Sequence, residues 1–230
     1  MDSYIDKILG DSIYDHEILR LFYLHPVDVI EQERYTDGEL QRVAAYLFKI
    51  INRTSAKEII DIIESDATSI KDISAKNIPQ YSNINSIDDV IRIVESNPGC
   101  NYELIGYFFN KTGSKGAQTK YGENHYKTAA LMHLTRDHQP FSVSYIGKEY
   151  IKFDAEVRTE IRTKLFLLIP IIQKSVIDAR YHEINMMEIL CKYLSESTAI
   201  RRRTNVRTML DYVCKSTAGE EIIETNLNWK

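Results

Sequence analysis

Four arginines, Arg201, Arg202, Arg203 and Arg207, lie in the stretch TAIRRRTNVRTMLDYV from Thr198 to Val213. A guanidinium is a permanent cation with a planar fork of donors, so a cluster of them suits phosphate oxygens and the guanine edge. Ile200, Val206, Met209, Leu210 and Val213 recur at helical spacing, which turns one stripe inward and leaves Arg201, Arg203, Thr204 and Arg207 to point largely elsewhere. Adjacent helix positions diverge by about 100°, so the arginines cannot all face one groove. Arg202 is expected to be structural, in an ion pair with Glu196. A second polar group, Lys115, Gln118, Thr119, Lys120, Tyr121, Asn124 and Lys127, is concentrated in one short stretch. Gln118 and Asn124 match the donor and acceptor edge of adenine, while lysines fix register on phosphates. Asn205 belongs with the arginines, and Lys148 follows a glycine that reads as a turn.

Hydrolytic chemistry finds no support. A carboxylate nuclease of the PD-(D/E)-x-K type needs Asp or Glu two residues before a lysine to arrange metal and water. No lysine of this chain meets that condition, and Glu160-Ile161-Arg162 is the nearest variant. His125-Tyr126-Lys127 matches the start of a phospholipase-D-type motif, but Met132 stands where its aspartate is required. His125, His133 and His138 lack ligand spacing, and a satisfied or exposed histidine is the expected fate of each. No phosphate-cradling glycine loop or nucleophile elbow is present. The reading is therefore of a chain with no catalytic residues, no metal and no cofactor of its own.

The 230 residues, 43% hydrophobic with nine Gly and five Pro, favour a mainly helical globular protein. Cys100, Cys191 and Cys214 show no metal or disulfide spacing. The longest uncharged apolar run, Leu165 to Ile172, falls far short of the ~20 residues that span a bilayer, and the N-terminus carries acids where a signal peptide has cations. A cytoplasmic protein without membrane contact is expected. The net charge of −4 hides a split, −8 over residues 1–100 and +4 over the remainder. A basic C-terminal half fits a polyanionic partner.

Sequence signals place the elements that must carry these residues. Asp15 to Leu24 reads as a helix that stops at His25-Pro26, with a further short turn or helix at Val27 to Tyr35. Thr36-Asp37-Gly38-Glu39 and Ser55-Ala56-Lys57-Glu58 have the form of capping boxes before apolar helices. Asp66 to Asn85 reads as a polar linker. Helices follow at Ile87–Glu95, capped by Ser86, at Tyr102–Asn110, with Tyr107, Phe108 and Phe109 in the core, and at Glu123–Leu134. Alternation from Phe141 to Phe153 then predicts two strands around Gly147-Lys148, with Lys148 at the tip. Beyond a long helix from Asp154 to Arg180, broken or kinked at Pro170, come a helix at Asn185–Leu194, a turn at Ser195–Ser197, the arginine helix, and a strand-like end with Ile222, Ile223 and Leu227. Helix, turn, helix and strands thus occur twice.

Two runs carry a resemblance. Tyr121-Gly-Glu-Asn-His-Tyr-Lys-Thr-Ala-Ala-Leu-Met-His-Leu134 resembles the third helix of a winged-helix module of restriction endonucleases. Arg201 to Val213 resembles its C-terminal companion, roughly R-R-x-x-T-V-x-x-W-L-x-W-I. Asn205 replaces the threonine there, and Met209 and Tyr212 replace the tryptophans. The likeness covers about residues 86–216 and is greatest to the recognition part of type IIS enzymes. It implies tandem winged-helix (helix-turn-helix) subdomains with small β-hairpin wings and an N-terminal helical domain. The implied division is residues 1–80, 86–153, a connecting helix at 154–182, and 183–230. It also implies sequence-specific binding of double-stranded DNA beside a separate nuclease domain or subunit, to which any Mg2+ would belong. A winged-helix transcriptional regulator and a helical domain that binds an acidic protein are the alternatives.

Overall fold

The two capping boxes open two helices in a computed structural model that describes residues 4–10, 14–26, 34–81, 83–217 and 220–229. Thr36 accepts from the Glu39 amide at 3.3 Å while Glu39 accepts from the Thr36 amide at 2.8 Å. Ser55 and Glu58 repeat the arrangement at 3.2 and 2.8 Å. Reciprocal caps satisfy amides that a helix start leaves open. Among the described residues there are thirteen α-helices. They are α1 (Tyr4–Leu9), α2 (Asp15–Leu24), α3 (Asp37–Arg53), α4 (Ala56–Glu64), α5 (Ser86–Ser96), α6 (Tyr102–Phe109), α7 (Lys115–Leu131), α8 (Tyr145–Tyr150), α9 (Ala155–Leu165), α10 (Pro170–Ala179), α11 (Met186–Tyr193), α12 (Glu196–Ser216) and α13 (Glu221–Asn226). Most of the expected Val27–Tyr35 element lies outside the described residues. No described helix is long and apolar enough to cross a membrane.

Pro170 divides the expected long helix in two. α9 ends at a 3-10 turn, Phe166–Leu168, and Pro170 starts α10 at a position whose amide needs no helical partner. α10 is buried on nearly every side, from Pro170 and Ile171 to Ala179, and packs against α4, α12 and α13. One cluster of buried apolar side chains runs from Tyr4 to Leu227, across the expected boundaries near residues 80, 154 and 183. Polar ties cross it too. Gln173 donates to the Tyr23 carbonyl at 3.0 Å, and the Lys164 ammonium caps the end of α3 through the Ile51 and Asn52 carbonyls at 2.9 and 3.1 Å.

Both expected wings are corrected. Residues 141–153 form no hairpin; one antiparallel bridge joins Thr135 to Val143, and α8 follows. Ser144 caps α8 by accepting from the Gly147 amide at 2.9 Å, and Ile146 and Tyr150, four apart, are its buried pair. The alternation fits a short helix as well as a strand, and Gly147 marks a close approach: a Cβ there would stand 2.0 Å from the Leu134 carbonyl oxygen. Lys148 is consequently helical. At the other end, Ile222 and Ile223 lie in α13, and Leu227–Asn228 pairs in parallel with Ile184–Asn185 as a two-residue ladder. A parallel pair far apart in sequence is not a hairpin wing.

Residues 66–81 and 83–85 have little regular structure but are not a free linker. Ile70, Ile73, Ile78 and Ile84 are buried, so the segment is a strap across the core.

Candidate nucleic-acid interface

α7 begins at Lys115, eight residues before the expected start, because Ser114 caps it by accepting from the Ala117 amide at 3.3 Å. It ends at Leu131, where the Leu134 amide reaches the Ala129 carbonyl and the His133 amide reaches Ala130. That is a Schellman closure, with His133 at φ 57° in the position glycine usually takes. α6 and α7 meet backbone to backbone. A Cβ on Gly106 would lie 1.7 Å from the Gln118 carbonyl oxygen, and one on Gly122 would lie 1.9 Å from that of Tyr102. This register, with Gly106 against Gln118 and Tyr102 against Gly122, makes the pair antiparallel.

The close pairing decides where the α7 side chains go. Gln118 is buried and donates to the Asn110 carbonyl at 3.0 Å, which removes it from the surface. Lys120 and Lys127 converge on Glu123 at 2.8 and 2.6 Å, and these bonds hold its carboxyl below the ordinary range. Lys115 is 3.7 Å from Glu103, and Thr119 bonds back to the Lys115 carbonyl at 2.9 Å. Solvent-exposed pairs of this kind are weak, so the lysines remain exchangeable toward phosphate. Tyr107 and Phe108, expected in the core, are exposed at 46% and 44%, while Phe109 stacks on His125 at 4.1 Å.

α12 spans Glu196–Ser216, and its cations separate by face. Arg202 does not pair with Glu196; it donates to the Ala75 and Ile78 carbonyls at 2.7 and 3.2 Å and pins the strap. Asn205, three residues on, is buried and donates to the Pro79 carbonyl at 3.4 Å. Arg203 reaches the Trp229 carbonyl at 3.2 Å, and Arg207, four residues on, lies 5.9 Å from the Trp229 ring and 4.0 Å from Asp211. Arg201 and Thr204 keep to the exposed face, Arg201 donating to Ser197 and Thr198 in the preceding turn. Lys148 sits on α8 against α3, 5.1 Å from the Tyr145 ring.

Between α7, α12 and the strap lies a cavity of about 240 Å³ lined by Gln80, Tyr81, Tyr121, Asn124, His125 and Asn205. Three expected residues, Tyr121, Asn124 and Asn205, thus converge from segments far apart in sequence. Gln80, Tyr81 and His125 escaped sequence reasoning. The isoleucine repeat at 70, 73, 78 and 84 within a polar stretch was the signal that this strap is bound to the body. His125 is 1% exposed, with ring centroids of Tyr81 at 3.5 Å and Tyr121 at 5.5 Å.

The Glu160-Ile161-Arg162 variant is split between interior and surface. Arg162 donates to Asp88 at 3.0 Å inside the protein while Glu160 is exposed, so the two do not share a site. Among the described residues no group of His, Cys, Asp and Glu is disposed to hold a metal ion. Comparison with protein-family models, curated proteins and solved structures gives no match for this chain.

Proposed function

We propose that this chain binds double-stranded DNA through the surface where α7 and α12 approach one another. It would act as a target-recognition module of the restriction-endonuclease kind, built on helix pairs without β-hairpin wings. The observation that carries the reading is the convergence of the two polar stretches: Tyr121 and Asn124 of α7 and Asn205 of α12 line one cavity. Arg201 and Thr204 occupy exposed positions of α12 and Lys115 and Lys120 exposed positions of α7, with Lys127 half-buried on the same helix; Arg207 is exposed on the side of α12 that faces Trp229. Arginine and lysine supply the salt-sensitive phosphate contacts, and amide side chains supply base discrimination. Cleavage, with its Mg2+, would belong to a separate nuclease domain or subunit.

Selection from random duplexes followed by sequencing tests the reading. An asymmetric enriched site bound by a monomer supports it. A palindrome bound by a dimer points to the transcriptional regulator instead, and no enriched sequence sinks specific DNA binding. Replacing Arg201 and Arg207 together by Glu is expected to weaken binding to the selected duplex at least tenfold and to lower the salt slope by roughly two. Unchanged DNA binding in that variant would favour an acidic protein as partner.

A further inference from the structure

A second cavity, of about 310 Å³, lies where the strap meets α1, the end of α7 and the start of α8. Its walls divide by chemistry. Tyr4, Ile146, Leu168 and Pro170, all buried, give it an apolar floor. Lys71 from the strap and Arg136 from the loop after α7 bring two cations to the same lining. Neither meets a carboxylate or donates a side-chain hydrogen bond among the described residues. The Arg136 backbone is fixed on both sides, its amide donating to the Ser142 carbonyl at 3.0 Å and its carbonyl accepting from the Tyr126 hydroxyl at 2.7 Å. Its Nε is sealed without a partner, whereas the terminal nitrogens are unbonded but not sealed. The open end of the fork is therefore the part that a ligand can reach.

His133 lines the same cavity, half-buried, with ring nitrogens that are neither bonded nor sealed. Burial, and after it the charge of Lys71, holds its imidazole down to about 4, so it is neutral at pH 7 and offers one donor and one acceptor. The acid in the lining, Asp137, is exposed and pairs with neither cation; its charge is felt by Tyr102 and Lys127. A partly enclosed guanidinium without a counter-charge is unfavourable, and an anion relieves it. We propose that this cavity binds a small carboxylate with a compact apolar body, its carboxylate on Arg136 and Lys71 and its body on the apolar floor. A guanidinium fork matches two carboxylate oxygens. The apolar floor disfavours a bare, strongly hydrated anion such as phosphate, and a volume near the lower bound of about 300 Å³ for ligand pockets suits a single ring more than a nucleotide. The site shares no residue with the α7 and α12 surface proposed for DNA, so neither reading rests on the other.

The test titrates the full chain with sodium benzoate, its neutral isostere benzamide, and inorganic phosphate, following the His133 ring by NMR. Benzoate is expected to shift the His133 signals and to bind at least about tenfold more tightly than benzamide, the margin that goes with a charged hydrogen bond. Phosphate, which has the charge without the apolar body, should also bind at least about tenfold more weakly than benzoate. Arg136→Gln should abolish the preference for benzoate over benzamide. Should that variant fail to fold, Lys71→Gln decides alone: its side chain is exposed, so the fold is expected to stand, and the preference should fall. No His133 shift with benzoate at millimolar concentration, a response only at other histidines, equal affinity for benzoate and benzamide, tighter binding of phosphate, or an unchanged preference in the folded variants would each overturn the proposal.

Discussion

Asp88 lies buried at the start of α5 and accepts from the Tyr150 hydroxyl at 2.7 Å, Arg158 Nε at 2.7 Å and Arg162 Nη1 at 3.0 Å. Arg162 spends a second nitrogen on Asn85 at 3.0 Å. Asp88→Asn leaves both guanidiniums enclosed without a counter-charge, and breaking such a buried pair costs about 3–5 kcal/mol. Urea unfolding should show a lower midpoint at an unchanged slope; a midpoint within error of the parent would refute the assignment. The buried imidazole at His125 gives a second expectation, in pH. Unfolded, it titrates near 6.5; folded, near 4. Between those values the unfolded chain holds a proton that the native one does not, so stability falls as pH drops from about 6.5 to about 4, by up to about 3 kcal/mol, and this residue takes no more below that. His125→Phe should lose less stability than the parent between pH 7 and pH 4.5 when both are followed by urea midpoints. Neither residue betrays its role in the sequence: the partners of Asp88 stand 62 to 74 positions away, and Tyr81 lies in a stretch that reads as a polar linker.

At the scale of elements, the glycines of α6 and α7 divide cleanly. Gly106 and Gly122 sit where any side chain would meet backbone of the facing helix, so Ala at either forces the pair apart. A cost of about 3 kcal/mol or more is expected, the upper end of overpacking. Gly116, with open space around its missing Cβ, should by contrast gain roughly 0.5–1 kcal/mol as Ala. Thermal midpoints of the three variants check both directions. Local grammar made some elements readable and hid others. The caps at Thr36 and Ser55, the proline at 170 and the span of α2 follow from near neighbours. The start of α7 was hidden because glycines at 116 and 122 look like breaks, although one is exposed and the other serves close packing. Its end was hidden because a histidine, not a glycine, holds the left-handed position. α8 mimicked a strand because an alternating string can also satisfy a four-residue period.

Over the whole molecule, the mainly helical class was legible from composition, whereas the way distant segments share one interior was not. The strap at residues 66–85 shows why: its isoleucines are visible, but the arginine that fixes it is 127 positions from the carbonyl it holds. Arg202→Ala should cost roughly 1.5–3 kcal/mol, the range for a charged hydrogen bond, and should speed hydrogen exchange locally at amides 75–78; exchange unchanged there would show that the strap is held by its isoleucines alone. The polar stretches on α7 and α12 were legible as stretches, but their meeting around His125 is a property of the fold. The ties from Gln173 to Tyr23 and from Lys164 to the end of α3 also impose an order in time. They close loops of 150 and of 112 to 113 residues, and contacts of such range slow folding because chain entropy is lost before they form. During synthesis, α1 to α4 emerge long before α9 and α10 exist to cover them. The segment that carries α1 to α4 therefore waits with its apolar faces open, and it is a part for which a holding chaperone matters.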